Sequence, residues 1–506
     1  MSMAAEHIDN RPTLATLLEG FADTSDISAI DLQVDGIALD SRKLGAGFLF
    51  LACAGENNHG LDFCRQAVAA GALAIAFDSS TAKSLPRDVE IPLIPIERLA
   101  DKAGTIADRF FGRPSEFLQI VAVTGTNGKS TVAWLLAQCL ENLGTRCAYA
   151  GTLGYGVGDI ASDDDMTSPD VVEMHRRLAG FVEQGAEVAA IEVSSHALAQ
   201  QRVDALRFHT TLFTNLSRDH LDYHGDMRAY GETKARLFLE HSALRRIINL
   251  DSEFGSTLAS RCPDEVITVS TNFDRVANGR PYVFVRSVVA NEIGSEVAIE
   301  SSWGGARLDI PLVGDFNVAN AVLVLAYLLT QGVLLSDACA ALTKVSAPPG
   351  RMQRVSASAG PAVYIDYAHT PSAIEVALRA IRAHTRGHLY CVFGCGGDRD
   401  AGKRPLMGRA TERLADRIVI TNDNPRGESP AAIIDGICAG LADVSKATII
   451  EDRAAAIAWT IDQAVPGDVV LIAGKGHENY QIIGNERLDF SDYAVVAGLL
   501  AEAADA

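Results

Sequence analysis

At 506 residues and 48% hydrophobic content, the chain is too long for one core and apolar enough to build about three. A net charge of −20 excludes a broad nucleic-acid-binding surface, which would be basic, but leaves room for a local basic pocket. The nine cysteines are odd in number and scattered, with no CxxC pair, which excludes a disulfide framework or a structural zinc site and suits reduced thiols.

The chain opens Met1-Ser2-Met3-Ala4-Ala5-Glu6, without a basic start or an apolar stretch, so no signal peptide and a cytoplasmic protein are expected. Alternating short strands and helices then predict a small α/β domain over residues 1–100, including Asp40-Ser41-Arg42-Lys43 and the polar loop Gly55-Glu56-Asn57-Asn58-His59-Gly60. A helix over Ala103 to Phe111 leads into an apolar run, Phe117 to Val123, that reads as a buried strand. Thr124-Gly125-Thr126-Asn127-Gly128-Lys129-Ser130-Thr131 follows, and Val132 to Ala137 reads as the start of a helix. Strand, glycine turn, Lys-Ser and helix form the layout of a phosphate cradle. Glycines let backbone N–H groups close on phosphate oxygens, a lysine reaches the outer phosphates, and the next hydroxyl can hold magnesium. Val123 stands where the general spacing puts the first glycine. The bland alternative is an ordinary strand-to-helix turn.

Further strands are expected at Glu187 to Glu192, Thr211 to Asn215 and Arg246 to Asn249, with helices between them, which makes a mostly parallel sheet. Residues 282–310 read as a β-rich insertion, and Asn317 to Leu329 as a buried helix. The longest apolar run, Ala321 to Leu329, falls far short of a membrane span. Ser346-Ala347-Pro348-Pro349-Gly350 marks a boundary. Beyond it, strands at Val363 to Ile365, Leu389 to Phe393, Arg417 to Ile420 and Asp468 to Ile472 predict a second, Rossmann-like α/β sheet.

Polar groups gather at the strand ends. Glu192 closes its strand and precedes Val193-Ser194-Ser195-His196, a placement that suits a magnesium ligand; a solvated loop glutamate is the alternative. Asp219-His220-Leu221-Asp222-Tyr223-His224 lies beyond another strand and offers metal or phosphate ligands. Lys234, inside a helical stretch, reads on its own as a surface lysine.

The phosphate loop, Glu192-Val193-Ser194-Ser195-His196, Asp219 to His224, Gly350-Arg351-Met352, Asp366-Tyr367-Ala368-His369-Thr370-Pro371 and Gly474-Lys475-Gly476-His477-Glu478 together resemble the Mur ligases of peptidoglycan synthesis. The resemblance runs from Ser41 to Asp489 and implies three α/β domains: residues 1–100 for UDP-MurNAc, 101–346 for ATP and 347–506 for the amino acid. It implies that ATP phosphorylates the D-glutamate side-chain carboxylate of UDP-MurNAc-L-Ala-D-Glu, and that an amine of the incoming amino acid then displaces phosphate. Lys129, Glu192, His220 and Lys234 take the catalytic places, with Ser130, Glu192, His220 and a carbamylated Lys234 as ligands of two magnesium ions. The ATP site adds Gly125, Thr126, Asn127, Gly128, Thr131, Asn317, Arg351, Asp366 and His369. Leu39, Ser41, Glu56, Asn57 and Asn58 map to the UDP end, and Thr167, Ser168, Ser194, Gln200 and Arg202 to the muramoyl dipeptide. The 56–58 loop departs from the family pattern.

Asp423-Asn424-Pro425-Arg426 is, read blandly, a turn with a solvated arginine. Within the family this run accompanies meso-diaminopimelate, whose far end carries a carboxylate as well as an ammonium; lysine has the ammonium alone. A guanidinium forks onto the carboxylate while an acid and an amide receive the ammonium. Arg399, Gly474 and Glu478 map to the same pocket. A monomer acting without nucleic acid and without a membrane span is expected. A lysine-adding ligase, a folylpolyglutamate-synthase-like ligase and a nucleotide-driven switch are the rival readings.

Overall fold

A computed structural model describes residues 11–22, 30–55, 58–82, 84–86, 89–161, 166–263, 265–272, 279–355 and 360–505. The chain divides into two compact units: Met1–Lys129 with Leu143–Ile267, and Ser130–Asn142 with Thr268–Ala506.

The first unit holds two sheets. The N-terminal one is parallel, with strands Gly36–Ala38, Phe48–Ala52, Ala74–Asp78 and Leu93–Ile96 in that order. The larger one runs Ala243–Asn249, Phe208–Phe213, Gln119–Thr124, Val188–Glu192, Cys147–Gly151, Gly154–Val157, parallel except for the last pair. Val188–Glu192 and Cys147–Gly151 are buried along their whole length, as parallel strands covered on both faces must be. Side-chain caps start the intervening helices: Asp170 accepts from two backbone N–H groups at Val171–Glu183, and Asp226 caps Met227–Leu239.

The chain passes into the second unit within the strand Val266–Ser270. The expected β-rich segment is an antiparallel meander of Tyr282–Ala290, Ser295–Ser301 and Gly304–Ile310. The buried helix is Asp315–Thr330. The C-terminal sheet runs Gln353–Val355, Ala362–Asp366, Val469–Ala473, Leu389–Phe393, Arg417–Ile420, Ala447–Ile449, with only the first pair antiparallel. Its two faces carry separate cores, one around Leu378, Phe393 and Ile437, the other around Val392, Ile457 and Val496.

Most expected elements shift by one to three residues at an end, and two of these shifts bear on the site. The helix expected from Val132 begins at Lys129, because polar Lys129, Ser130 and Thr131 form its first turn and carry no apolar period. The strand expected over Thr211 to Asn215 is Phe208–Phe213; Thr214 and Asn215 leave the sheet to bond the phosphate loop.

Candidate active site

The phosphate loop is braced by the end of the neighbouring strand. Gly125 has φ +150°, and a Cβ there would lie 1.9 Å from the Thr214 hydroxyl, so only glycine fits. That hydroxyl donates to the Asn127 carbonyl at 2.6 Å. Asn215 exchanges two bonds with the Asn127 backbone, accepting from N–H at 3.1 Å and donating to C=O at 3.0 Å. The Thr126 hydroxyl accepts from the Ser217 N–H at 3.0 Å and sits 3.2 Å from the Tyr230 hydroxyl. Ser130 and Thr131 are buried at the start of the helix that follows.

Two lysine amino groups meet on this loop. Lys129 donates to the carbonyls of Gly125 (3.1 Å) and Thr126 (2.9 Å), and Lys234 donates to the same Gly125 oxygen at 2.9 Å. Lys234 is no surface lysine: its helix turns it inward, it is 1% exposed, and it lies 4.6 Å from the Tyr230 ring centroid. Burial, reinforced by the charge of Lys129, holds its pKa well below the ordinary lysine value.

Glu192 is likewise buried rather than solvated, at 1% exposure. Its Oε1 accepts from the Tyr149 hydroxyl (2.6 Å) and the Thr152 N–H (2.8 Å), and its Oε2 from the Thr152 hydroxyl (3.2 Å). The five residues expected at the muramoyl dipeptide are linked by hydrogen bonds to the strand end that carries Glu192. Thr167 and Thr152 share a hydroxyl bond at 3.0 Å, and Ser168 donates to the Glu192 carbonyl at 2.9 Å. Ser194 donates its N–H to Ser168 and caps the helix Ser195–Ala199. Arg202 donates to the Ser168 carbonyl at 2.6 Å and to Gln200, which in turn donates to the Tyr223 hydroxyl at 3.2 Å.

His220, held at φ +51°, joins a ring cluster 5.0 Å from His196. His196 also lies 4.3 Å from Tyr223, and His224 lies 5.1 Å from Tyr230. Burial lowers the pKa of both His196 and His224, aided by the neighbouring imidazoles. Among the described residues no three His, Cys, Asp or Glu side chains converge as a metal cluster. At the UDP end Ser41 is buried and donates to Gln66 at 2.9 Å, Leu39 packs against the N-terminal core, and the Asn58 carbonyl accepts from Gly55. Glu56 and Asn57 lie outside the described residues.

In the second unit, Asn317 is buried in the first turn of its helix, donating to the Val313 carbonyl at 2.9 Å and accepting from Asn320 at 3.3 Å. Arg351, Asp366 and His369 come together around Tyr367. The Arg351 guanidinium lies 4.8 Å from that ring centroid, and its buried Nε has no hydrogen-bond partner among the described residues. Asp366 accepts from the N–H groups of Met352 (2.8 Å) and Ala368 (2.9 Å); burial raises its pKa against the pull of Arg351. His369 is exposed, with its ring 4.6 Å from Tyr367.

The Asp423-Asn424-Pro425-Arg426 run is a fixed loop, not a solvated turn. Arg426 sits at φ +52°; its N–H donates to the Ile482 carbonyl and its guanidinium to the Gly397 carbonyl at 3.0 Å. Asn424 donates to Glu478 Oε2 at 3.0 Å. Gly474, at φ +117°, brings the next loop close: a Cβ there would lie 2.6 Å from Asp423 Oδ2. Arg399 is exposed on the loop that supplies Gly397. Sequence reasoning left out Lys475, although it sits in the quoted Gly-Lys-Gly motif; it is fully buried and donates to Asn424 and Glu478. Tyr149, Thr152 and Tyr230 were also left out, and no local pattern marks them.

Three family descriptions match the chain: "Mur ligase family, catalytic domain" over residues 33–111, "Mur ligase middle domain" over 123–328, and "Mur ligase, glutamate ligase domain" over 350–476. The UDP-N-acetylmuramoyl-L-alanyl-D-glutamate–2,6-diaminopimelate ligase of Haemophilus influenzae is 43% identical over 473 residues, 93% of this chain and 97% of that one. The protein of the same description from Pseudomonas aeruginosa is 45% identical over 463 residues, 91% and 94% of the two chains. A solved structure of a ligase so described aligns with TM-score 0.73 at 32% identity, covering 98% of this chain and all of the other. A braced phosphate loop, a buried glutamate at the adjoining strand end and a three-domain match over nearly the whole length lead to one assignment: the chain belongs to the Mur ligase family.

Proposed function

We propose that this protein joins meso-2,6-diaminopimelate to the D-glutamate side-chain carboxylate of UDP-MurNAc-L-Ala-D-Glu, with ATP converted to ADP and phosphate. The observation that carries the choice of amino acid is the Arg426 guanidinium, held at the Asn424 backbone carbonyl (3.4 Å), on the same loop as the Asn424 side chain that donates to Glu478. It offers a fork for a carboxylate next to an acid for an ammonium.

The chemistry follows from the residues. A carboxylate cannot acylate an amine because oxide is too poor a leaving group. Its oxygen attacks the terminal phosphorus of ATP, and ADP leaves. The amine nitrogen, having lost its proton, adds to the acyl carbon; the tetrahedral intermediate collapses to the amide and expels phosphate. Both partners in the first step are anionic, so Lys129, already at the loop carbonyls, screens their repulsion. Ser130, Glu192, His220 and carbamylated Lys234 would hold the magnesium ions, which neutralise developing phosphate charge when bound. Arg202 and the hydroxyls of Thr167, Ser168 and Ser194 would seat the muramoyl dipeptide. Boundaries near residues 100 and 346, and the work as a monomer in the cytoplasm, belong to the same reading. No helix among the described residues is long and apolar enough to cross a membrane.

The test is a substrate panel: UDP-MurNAc-dipeptide or a folate, with diaminopimelate, lysine or glutamate, plus ATP and magnesium. Phosphate release is expected only with the UDP-dipeptide and diaminopimelate. Turnover of ATP without acceptor and amino acid would instead mark a nucleotide-driven switch, and a folate response a folylpolyglutamate-type ligase. In the same assay Arg426→Ala is expected to raise the KM for diaminopimelate by an amount equivalent to roughly 2–5 kcal/mol, with the KM for ATP little changed. Equal effects on both substrates would refute the pocket assignment.

A further inference from the structure

Lys475 has no place in the reaction as set out above, yet its environment is built with care. Its side chain is fully buried, and its ammonium donates to Asn424 Oδ1 at 3.2 Å and Glu478 Oε2 at 3.0 Å, with the Tyr480 ring centroid 5.5 Å away. Glycines at positive φ flank it, Gly474 at +117° and Gly476 at +55°. The Gly476 turn is filled: a Cβ there would lie 2.7 Å from the Tyr367 Cβ. The backbone is thus shaped to aim this one side chain inward.

Its bonds decide how the neighbouring polar groups present themselves. Asn424 Oδ1 accepts both from Lys475 and from the Ile482 N–H at 2.9 Å, so the amide nitrogen must face Glu478, to which it donates at 3.0 Å. Glu478 Oε2 therefore takes two donors, from Asn424 and Lys475, and Oε1, to which no side chain among the described residues donates, faces a ligand ammonium. The charges on these two loops, Asp423, Arg426, Lys475 and Glu478, sum to zero, and on the adjoining loop Asp398, which accepts from the Gly427 N–H, offsets its neighbour Arg399. A ligand end that carries one carboxylate and one ammonium matches that balance. An end with an ammonium alone, as in lysine, brings an uncompensated positive charge beside a buried ammonium.

We propose that Lys475 is a specificity-determining residue: its buried ammonium fixes Asn424 and Glu478 and sets the pocket's charge so that a zwitterionic amino-acid end is accepted and a monocationic one rejected. The inference rests on the reading that this pocket takes diaminopimelate.

The experiment compares kcat/KM for meso-diaminopimelate and L-lysine in the full chain, in the wild type and in Lys475→Met, Lys475→Gln and Lys475→Arg, with the KM for ATP as an internal control. Lys475→Met removes charge and donors, Lys475→Gln keeps donors without charge, and Lys475→Arg keeps the charge. The neutral variants are expected to raise the KM for diaminopimelate at least tenfold and lower the diaminopimelate-to-lysine ratio at least tenfold, with the KM for ATP within about threefold of wild type. Lys475→Arg is expected to keep the ratio within about threefold. A ratio unchanged in a folded neutral variant, or a fall in kcat for both amino acids alike, would overturn the proposal. If neither neutral variant folds, a shifted ratio in Lys475→Arg overturns it and a retained ratio upholds the charge argument. A wild type that uses neither amino acid defeats the underlying pocket reading instead, which keeps the two failures distinct.

Discussion

Replacing Lys234 with methionine is expected to lower the rate of ADP formation by a factor of about 100–1,000 or more while leaving the fold intact. The side chain is almost wholly buried, its pKa is held low, and it shares the Gly125 carbonyl with Lys129. A cation so placed is costly, which favours the neutral amine, and a neutral amine can add to carbon dioxide, losing a proton to form a carbamate. That step would turn a donor into an anionic oxygen ligand at the phosphate loop. Methionine has similar length and cannot make this change. Gly125 keeps its bond from Lys129, so the circular dichroism of the variant should match that of the wild type. Phosphate release under saturating substrates reads the loss. Wild-type protein stripped of carbon dioxide should slow and recover on adding bicarbonate, whereas Lys234→Met should respond to neither treatment. Wild-type turnover in the variant would remove Lys234 from the catalytic group.

The sequence made the phosphate loop legible because its requirements are local: glycines, a lysine and a hydroxyl at fixed spacing, between an apolar strand and a helix. The sheets were legible for a related reason, since parallel strands covered on both faces read as unbroken apolar runs. Lys234 was not legible without the family resemblance. Its inward aim depends on how Met227–Leu239 packs, and it sits four residues after Tyr230 on one helix face, a spacing that many surface lysines share. Thr214 and Asn215 read as the polar tip of a strand because they follow an apolar run; their side chains instead bond the loop of another strand. Lys475 stayed hidden because a lysine between glycines looks like a solvated turn until a chain neighbour more than fifty residues away, Asn424, is brought against it.

The C-terminal loops depend on a second cation the sequence did not single out. Arg453 and Asp492 are both fully buried, with Nε to Oδ1 at 2.7 Å and a terminal nitrogen to Oδ2 at 2.8 Å, a bidentate pair. The same guanidinium donates to the Ala473 carbonyl at 3.0 Å and the Asn422 carbonyl at 3.3 Å. Those carbonyls immediately precede Gly474 and Asp423, so one side chain anchors both loops of the proposed amino-acid pocket. Arg453→Met is expected to destabilise the C-terminal part by about 3–5 kcal/mol, because Asp492 is left charged and unpaired in the interior. Arg453→Met/Asp492→Leu should recover most of that stability, since an apolar pair of similar volume avoids burying a lone charge. Urea unfolding followed by a probe in this region, such as Trp459 fluorescence, checks both variants, because a chain of several domains has no single global transition. The double variant separates stability from positioning. With the fold restored but the two carbonyls untethered, its KM for diaminopimelate should stay raised while its KM for ATP returns toward wild type. If the double variant regains wild-type KM for both substrates, the pair holds the fold only and the loops are positioned by other contacts.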